Sequence, residues 1–261
     1  MTTLVVIAKE CVPGMVKTRL SPPFSLEQAA RLAAASLSDT LAATAAVSAD
    51  RKILYFDGNN VPAEAAAFEV VKQPDGALDE RLAHIFDLLS EPVFLVGMDT
   101  PQITPTLIEA ACAQWPMDVD AWFGPARDGG FWGLGLARMP NRGAIVRGVP
   151  MSTEHTGKRQ LERLEHAALR VQLLPPLTDI DTAETLFEVA QLLPGSSLSV
   201  ALARVRAASQ AAPRGSAKPN SIRVGSGDRE NVALIRRRLE RSDTSERNDQ
   251  SSAPSEERRP W

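Results

Sequence analysis

A chain of 261 residues with 44% hydrophobic side chains can bury a full core, in one large domain or two small ones. No apolar run is long enough to span a bilayer. Cys11, Cys112, His84, His155 and His166 are too few and too scattered for a disulfide framework or a thiolate or imidazole zinc site, so any metal should be a hard ion held by carboxylates. The net charge of −3 divides unevenly: residues 206–261 carry twelve Lys and Arg against eight Asp and Glu, which leaves residues 1–205 acidic and argues against nucleic acid as their partner.

Residues 4–8 read as a buried parallel strand that begins almost at Met1 with no basic leader ahead of it, and the cytoplasm is the expected compartment. The strand runs into a loop that Pro13 and Gly14 turn and that carries Lys9, Lys17 and Arg19. Ser25 and Gln28 have the spacing of a capping box and open an amphipathic helix to about Val47. Residues 52–56 are a second strand closed by Asp57-Gly58-Asn59-Asn60, 62–67 a short helix, and 68–71 an edge-like strand. The turn Gln73-Pro74-Asp75-Gly76 opens a helix with Leu82, Ile85, Phe86 and Leu89 on one face. Residues 92–96 are the clearest buried strand; Gly97-Met98-Asp99-Thr100-Pro101 ends it, and Thr104-Pro105 starts another helix.

Strands at 119–123 and 131–136 flank Gly124-Pro125-Ala126-Arg127-Asp128-Gly129-Gly130, a hairpin-like return that predicts one antiparallel pair in a mostly parallel sheet. A helix follows Ser152-Thr153-Glu154 to about Ala168, residues 170–174 form a strand, and Asp179-Ile180-Asp181-Thr182 begins a helix through Leu192. This alternation predicts an α/β fold with helices on both faces, in a domain spanning residues 1–205. Ala-rich residues to about 212 suit one more helix, but 206–261 as a whole read as a low-complexity, largely disordered tail. Within it, only 232–239 has the pattern of an amphipathic turn or two, suited to a protein partner or an acidic surface.

The basic loop invites phosphate, although a solvated surface loop explains it equally well from its own residues. It is not a Walker loop, because the required upstream Gly and the Gly before Lys17 are missing, and no G-x-G-x-x-G follows any strand. Asp99 directly follows a buried strand, where a carboxylate is aimed into the crevice in which open parallel sheets bind ligands, and Asp179 and Asp181 follow another strand toward the same rim. Two such carboxylates can hold Mg²⁺ or Mn²⁺ with substrate phosphate; singly, Asp99 and Asp181 also suit helix N-caps. Asp128 with Gly129 and Gly130 fits either close backbone approach to a ligand or an ordinary Asp-Gly hairpin turn. Gln73, Gly76 and Arg81 fit contacts to a base or acceptor or a solvated helix start, and His155 with Glu154 fits a base for an acceptor hydroxyl or an exposed pair. Trp132 reads as packing, and Cys11 and Cys112 as inert thiols.

Taken as a set, Ala8-Lys9, Pro13-Gly14-Met15-Val16-Lys17-Thr18-Arg19-Leu20, Gly97-Met98-Asp99-Thr100-Pro101, Gly124-Pro125-Ala126 with Asp128-Gly129-Gly130, Ser152-Thr153-Glu154-His155-Thr156 and Asp179-Ile180-Asp181-Thr182 resemble a bacterial family of GT-A-like proteins. That family is of the nucleotide-diphospho-sugar-transferase type and related to the 2-phospho-lactate guanylyltransferases. The resemblance covers residues 4 to about 192. It implies one GT-A domain, a divalent ion and a nucleotide, with Lys17 and Arg19 on the phosphates and Asp99 and Asp181 as metal carboxylates. Cys11 stands where the family usually has Pro, Met151 where Trp is common and Phe131 where Tyr is common, while Ala183 and Thr185 soften an Asp-Thr-Pro-Glu-Asp-Leu pattern. These departures bear on the acceptor pocket and leave the phosphate and metal residues intact.

The expected function is therefore a Mg²⁺- or Mn²⁺-dependent transferase that takes a nucleoside triphosphate or nucleotide-diphospho-sugar and a small acceptor. Nucleotidyl transfer is the leading reading and glycosyl transfer the alternative. The expected catalytic residues are Lys17, Arg19 and Asp99. Lys9, Gly14, Thr18, Gln73, Arg81, Asp128, Gly129, Gly130 and His155 are the expected substrate contacts. A non-catalytic nucleotide-binding scaffold is the reading from outside enzymology.

Overall fold

The computed structural model describes residues 1–211. Seven strands form one sheet: β1 (Thr3–Lys9), β2 (Arg51–Asp57), β3 (Glu69–Lys72), β4 (Val93–Gly97), β5 (Ala121–Pro125), β6 (Phe131–Leu136) and β7 (Val171–Leu173), in the spatial order β3-β2-β1-β4-β6-β5-β7. All pairings are parallel except those of β6, which runs antiparallel to both β4 and β5. The expected hairpin is present, and its return strand inserts next to β4, so two pairings are antiparallel. β3 is an edge strand, as its short, poorly buried pattern suggests.

Alternating side chains of the central strands feed two apolar layers. Leu4, Val6, Ala8, Leu54, Phe56, Phe94 and Val96 pack under α1 (Leu26–Ala45), and the same layer takes in Ile108 and Ala111 of α3 (Pro105–Cys112). Val5, Ile53, Tyr55, Val93 and Leu95 face the other way. They pack with Leu82, Ile85 and Phe86 of α2 (Leu78–Leu88), Val146 of α4 (Gly143–Val146) and Leu164 of α5 (Thr156–His166). The near-continuous apolar runs of β1 and β4 follow from burial on both faces. The helical turn of α4 was not expected, being too short to show a helical period, and α5 ends at His166, before Ala168, which has positive φ.

A third apolar cluster joins the end of the basic loop to the last two helices, α6 (Ala183–Leu192) and α7 (Ser197–Ala211). Leu20, Phe24 and Leu32 meet Ile180, Leu186, Val189, Leu198 and Leu202 there. Asp39 of α1 accepts hydrogen bonds from the backbone N–H groups of Ser197 and Leu198 at 2.8 and 2.9 Å, capping α7 with a carboxylate where the helix dipole favours one. The capping box of α1 is formed: Ser25 N donates to Gln28 Oε1 at 2.8 Å and Gln28 N to Ser25 Oγ at 3.3 Å. No helix among the described residues is long and apolar enough to cross a membrane. The proposed partner-binding segment at 232–239 lies outside the described residues.

Strand order reverses at β1: the chain steps from β1 outward to β2 and β3, then returns across to β4. The crevice beyond the carboxyl ends of β1 and β4 is thus a topological switch point, where open α/β sheets hold ligands. Phe94 is fully buried in β4 and meets Trp132 edge-to-face at 6.3 Å. Phe94→Ala should lower the unfolding free energy by about 3–5 kcal/mol, read as a drop in the urea midpoint with an unchanged slope.

Candidate functional site

Lys17 is the centre of the carboxyl edge. Its Nζ lies 2.9 Å from Asp99 Oδ1 and 2.9 Å from Asp181 Oδ1, and its side chain is only 8% exposed while the two aspartates are 42% and 34% exposed. The loop delivers it inward by anchoring on both sides: Val16 and Leu20 are buried, and Leu20 N donates to Lys17 O at 3.0 Å. Gly14 turns the chain with φ +80°, a conformation cheap for glycine. Lys17 itself is held left-handed, at φ 46° and ψ 38°, which is costly for a residue with a side chain and marks a position constrained by its surroundings. Burial alone would push the Lys17 ammonium down, but Asp99 and Asp181 outweigh it and keep the group above its ordinary range, hence charged.

Neither aspartate is a helix cap. Thr104 caps α3 by accepting from Leu107 N at 3.3 Å, and Thr182 caps α6 by accepting from Thr185 N at 3.3 Å. The cap reading of Asp99 and Asp181 is corrected by these threonines, whose hydroxyls take the role and leave both carboxylates facing the crevice. The segments carrying them are tied together, because Ile180 N donates to Asp99 O at 3.0 Å. Arg19 adds a looser contact, NH1 to Asp181 Oδ2 at 3.5 Å, from a side chain 73% exposed, so it contributes little to stability and can reach outward.

Asp179 sits behind this pair. Burial pushes its carboxyl up to about 7, with Asp128 and Asp99 adding to the rise and Lys17 opposing it. Its Oδ1 is buried without a hydrogen-bond partner among the described residues, as are Thr100 Oγ1 and Gln102 Oε1, although Gln102 Nε2 donates to Thr178 O at 2.7 Å. Three such oxygens near one strand end are a concentration of unmet polar capacity where a ligand or water is expected. Among the described residues no group of three or more His, Cys, Asp and Glu is arranged to hold a metal ion. The donor chemistry of Asp99 and Asp181 suits a hard divalent ion, but two carboxylates bridged by an ammonium do not make a resident site. They fit an ion that brings phosphate oxygens with it.

The remaining expected site residues fall on either side. Toward β2 and β3, Arg81 NH1 donates to Asp57 Oδ2 at 2.6 Å and to Gln73 Oε1 at 3.4 Å, and Arg81 Nε donates to Gly76 O at 2.9 Å. Gln73 Nε2 donates to Ala8 O and Tyr55 O at 2.9 and 2.8 Å, so Gln73 is an internal brace and Arg81 shapes the 73–77 turn. Asp57 was read only as part of a turn; its place at the carboxyl end of a strand, the same signal that singled out Asp99, could have found it. Lys9 Nζ donates to Met15 O at 2.8 Å and stiffens the loop, while Thr18 opens a short 3-10 turn and is exposed.

Toward β5 and β6, Asp128 Oδ1 accepts from Gly130 N at 2.8 Å inside the hairpin turn. Gly129 has φ +91°, and a Cβ there would lie 2.0 Å from Glu154 O, while Gly129 O accepts from Gly157 N at 2.7 Å. The two glycines thus let the hairpin tip press against the segment that starts α5. His155 is exposed beside Glu154, at 3.6 Å. Burial pushes the Cys11 thiol up to about 11, with Asp99 adding to it, so it is no nucleophile at neutral pH. A cavity of about 460 Å³ lined by Phe86, Leu89, Ser90, Arg138 and Arg142 lies at the opposite, amino end of β4, away from all of these groups.

Residues 29–153 match a family model described as an uncharacterized protein conserved in bacteria, DUF2064, a span that includes Asp99 and Asp128 but neither Lys17 nor Asp181. No curated protein matches the chain in sequence. A Desulfovibrio desulfuricans protein provisionally described as a nucleotide-diphospho-sugar transferase shares the fold, with a TM-score of 0.69 and 24% identity over 79% of this chain and 95% of its own. A Leptospira borgpetersenii cytidylyltransferase (TM-score 0.46, 10% identity, 80% and 95% coverage) and Mycobacterium tuberculosis Rv0371c with manganese (0.40, 20%, 72% and 96%) are likenesses too loose to bear on its chemistry. The family match and the shared fold bear out the resemblance drawn from the motifs and its GT-A-like architecture.

Two outcomes follow from this geometry. Gly129→Ala should destabilise the protein by roughly 2–4 kcal/mol, seen as a lowered melting temperature, because neither the positive φ nor the Glu154 carbonyl tolerates a methyl group. Because the folded state raises the Asp179 pKa from 3.8 to about 7, the native protein binds a proton that the unfolded chain releases, and stability falls as pH rises between those values. Asp179→Asn should therefore gain stability over the parent at pH 8, by at most roughly 4 kcal/mol, and lose most of that advantage by pH 4; urea unfolding at the two pH values reads the difference. An equal effect at both would contradict it.

Proposed function

We propose that the chain is a nucleotide-dependent transferase that binds a nucleoside triphosphate or nucleotide-diphospho-sugar in the crevice beyond β1 and β4 and transfers a nucleotidyl group to a small acceptor. The observation that carries this reading is the buried ammonium of Lys17 seated by Asp99 and Asp181 at the switch point of the sheet. A cation, an exposed arginine and two hard carboxylates within one crevice are the groups that phosphoryl-type transfer requires, since its catalysis is mainly positioning and charge neutralisation.

In this reading Lys17 and Arg19 bind the β- and γ-phosphates, with Gly14 and Thr18 shaping the loop beneath them and Lys9 bracing it. An acceptor oxygen attacks the α-phosphorus, the bond to the bridging oxygen breaks, and pyrophosphate departs with its charge met by the two cations. Asp99 and Asp181 would hold Mg²⁺ or Mn²⁺ together with phosphate oxygens; such an ion supplies further neutralisation of charge on those oxygens. The braced turn at Gln73 and Arg81 lies on the base side. Asp128, Gly129, Gly130 and His155 lie on the acceptor side, with Asp179 between Asp128 and Asp99. Glycosyl transfer from a nucleotide sugar uses the same cations on an intact diphosphate leaving group and differs in the bond broken.

Thermal-shift measurements across nucleoside triphosphates and nucleotide sugars, with and without Mg²⁺ or Mn²⁺, test the reading. A triphosphate should raise the melting temperature in a metal-dependent way and release pyrophosphate with the right acceptor. Release of a nucleoside diphosphate would favour glycosyl transfer, binding without turnover the scaffold, and absence of any stabilisation would refute nucleotide binding. Asp99→Asn should abolish the metal dependence, and Arg19→Ala should weaken triphosphate binding by roughly 10- to 100-fold through loss of a charge-assisted contact.

A further inference from the structure

We propose that Lys17 is the resident cation of the Asp99–Asp181 pair, and that the nucleotide-free protein excludes a divalent metal ion from that pair until phosphate draws Lys17 out of it. The inference deepens the nucleotide-binding reading and rests on it for the identity of the displacing anion.

The ammonium lies 2.9 Å from Asp99 Oδ1 and 2.9 Å from Asp181 Oδ1, one oxygen of each aspartate. A divalent ion taking both Oδ1 atoms would have to sit where Nζ sits. Two cations cannot share that space: at such separations their repulsion in a partly dehydrated crevice is worth several times thermal energy, and the carboxylates cannot coordinate both at short range. Asp179 does not relieve this, because no three-carboxylate cluster suited to a metal exists among the described residues. Metal ion and ammonium therefore compete for one seat.

The loop is built for exchange and not for permanent occupancy. Lys17 holds a left-handed backbone conformation that costs roughly 1–2 kcal/mol for a residue with a Cβ, a cost the two ion pairs help to offset. Its four-carbon stem lets the ammonium swing to a phosphate oxygen without moving the anchors Val16 and Leu20. Among the described residues Arg19 pairs with Asp181 alone, at 3.5 Å and from a largely exposed side chain, a contact too loose to replace Lys17 between the two carboxylates. Once Lys17 turns to phosphate, Asp99 loses its cation and Asp181 keeps only the loose Arg19 contact, and a metal ion arriving with the nucleotide restores their balance. Nucleotide and metal then bind with positive coupling, and by reciprocity each strengthens the other by the same factor.

Direct Mn²⁺ titration of the nucleotide-free protein, followed by the electron paramagnetic resonance signal of free Mn²⁺, tests this. The wild type should show no tight site, Lys17→Met should bind one Mn²⁺ at least about tenfold more tightly, and Lys17→Arg, which keeps the charge, should stay weak. Adding Asp99→Asn to Lys17→Met should remove the gained site. If Lys17→Met does not fold by circular dichroism, Lys17→Gln, which retains one donor to the carboxylates, is titrated in its place with the same expectation. Wild type and folded Lys17→Met or Lys17→Gln binding Mn²⁺ equally, tightly or weakly, would overturn the proposal. Because no nucleotide enters the titration, its failure leaves the nucleotide-binding reading standing, while a gained Mn²⁺ site in a protein that no nucleotide stabilises would sink that reading alone.

Discussion

One buried ammonium between two aspartates organises the functional edge of this protein. Lys17 and Asp181 are 164 positions apart in sequence, and Asp99 comes from a third segment, so the two ion pairs fasten the loop after β1, the end of β4 and the start of α6 to one point. Desolvating a charge is expensive, and a buried lysine without partners would lose its proton; here two carboxylates with access to solvent offset that cost. Apolar packing supports the same junction, with Leu20 from the loop and Ile180 from the aspartate segment meeting in one cluster with α6 and α7. The electrostatic contact and the apolar contact hold each other in register.

Charge is graded along the edge. Arg81 is held by Asp57 and Gln73 at one end, Lys17 by two aspartates in the middle, and among the described residues Asp179 keeps an unpartnered oxygen behind them. The rigid end and the unmet centre differ in what they offer. Arg81 directs three side-chain hydrogen bonds into Asp57, Gln73 and Gly76, whereas Lys17 divides its charge between two aspartates that keep access to solvent. Such a division suits a site that recognises one part of a ligand by shape and another by charge.

Much of this was legible in the residues because the relevant physics is local. The apolar runs of β1 and β4, the Ser25–Gln28 box and the Thr104-Pro105 start each carry their own signal within a few positions. The placement of Asp99 and Asp181 on one rim followed from strand ends and parallel topology. What stayed hidden depends on distance in sequence. That β6 inserts between β4 and β5 is a choice of partner, which hydrophobic period does not encode. Gly129 looked like a ligand-approach glycine or a turn glycine, and only the position of the Glu154 carbonyl shows what its missing side chain makes room for. Whether Asp181 caps α6 was undecided until Thr182 was seen to take that role, one residue later. Lys17 pointing inward is the least legible feature, since a lysine in a Pro-Gly loop ordinarily faces solvent.

The central claim is that the seat between Asp99 and Asp181 passes from Lys17 to a divalent metal ion that arrives with phosphate. Crystals grown with Mn²⁺ and a non-hydrolysable nucleoside triphosphate, examined by anomalous scattering at the manganese edge, address it most directly. The account predicts a manganese peak between Asp99 and Asp181, with Lys17 Nζ moved onto a phosphate oxygen. Triphosphate bound elsewhere, or bound here with both Lys17 ion pairs still at hydrogen-bonding distance, would contradict it.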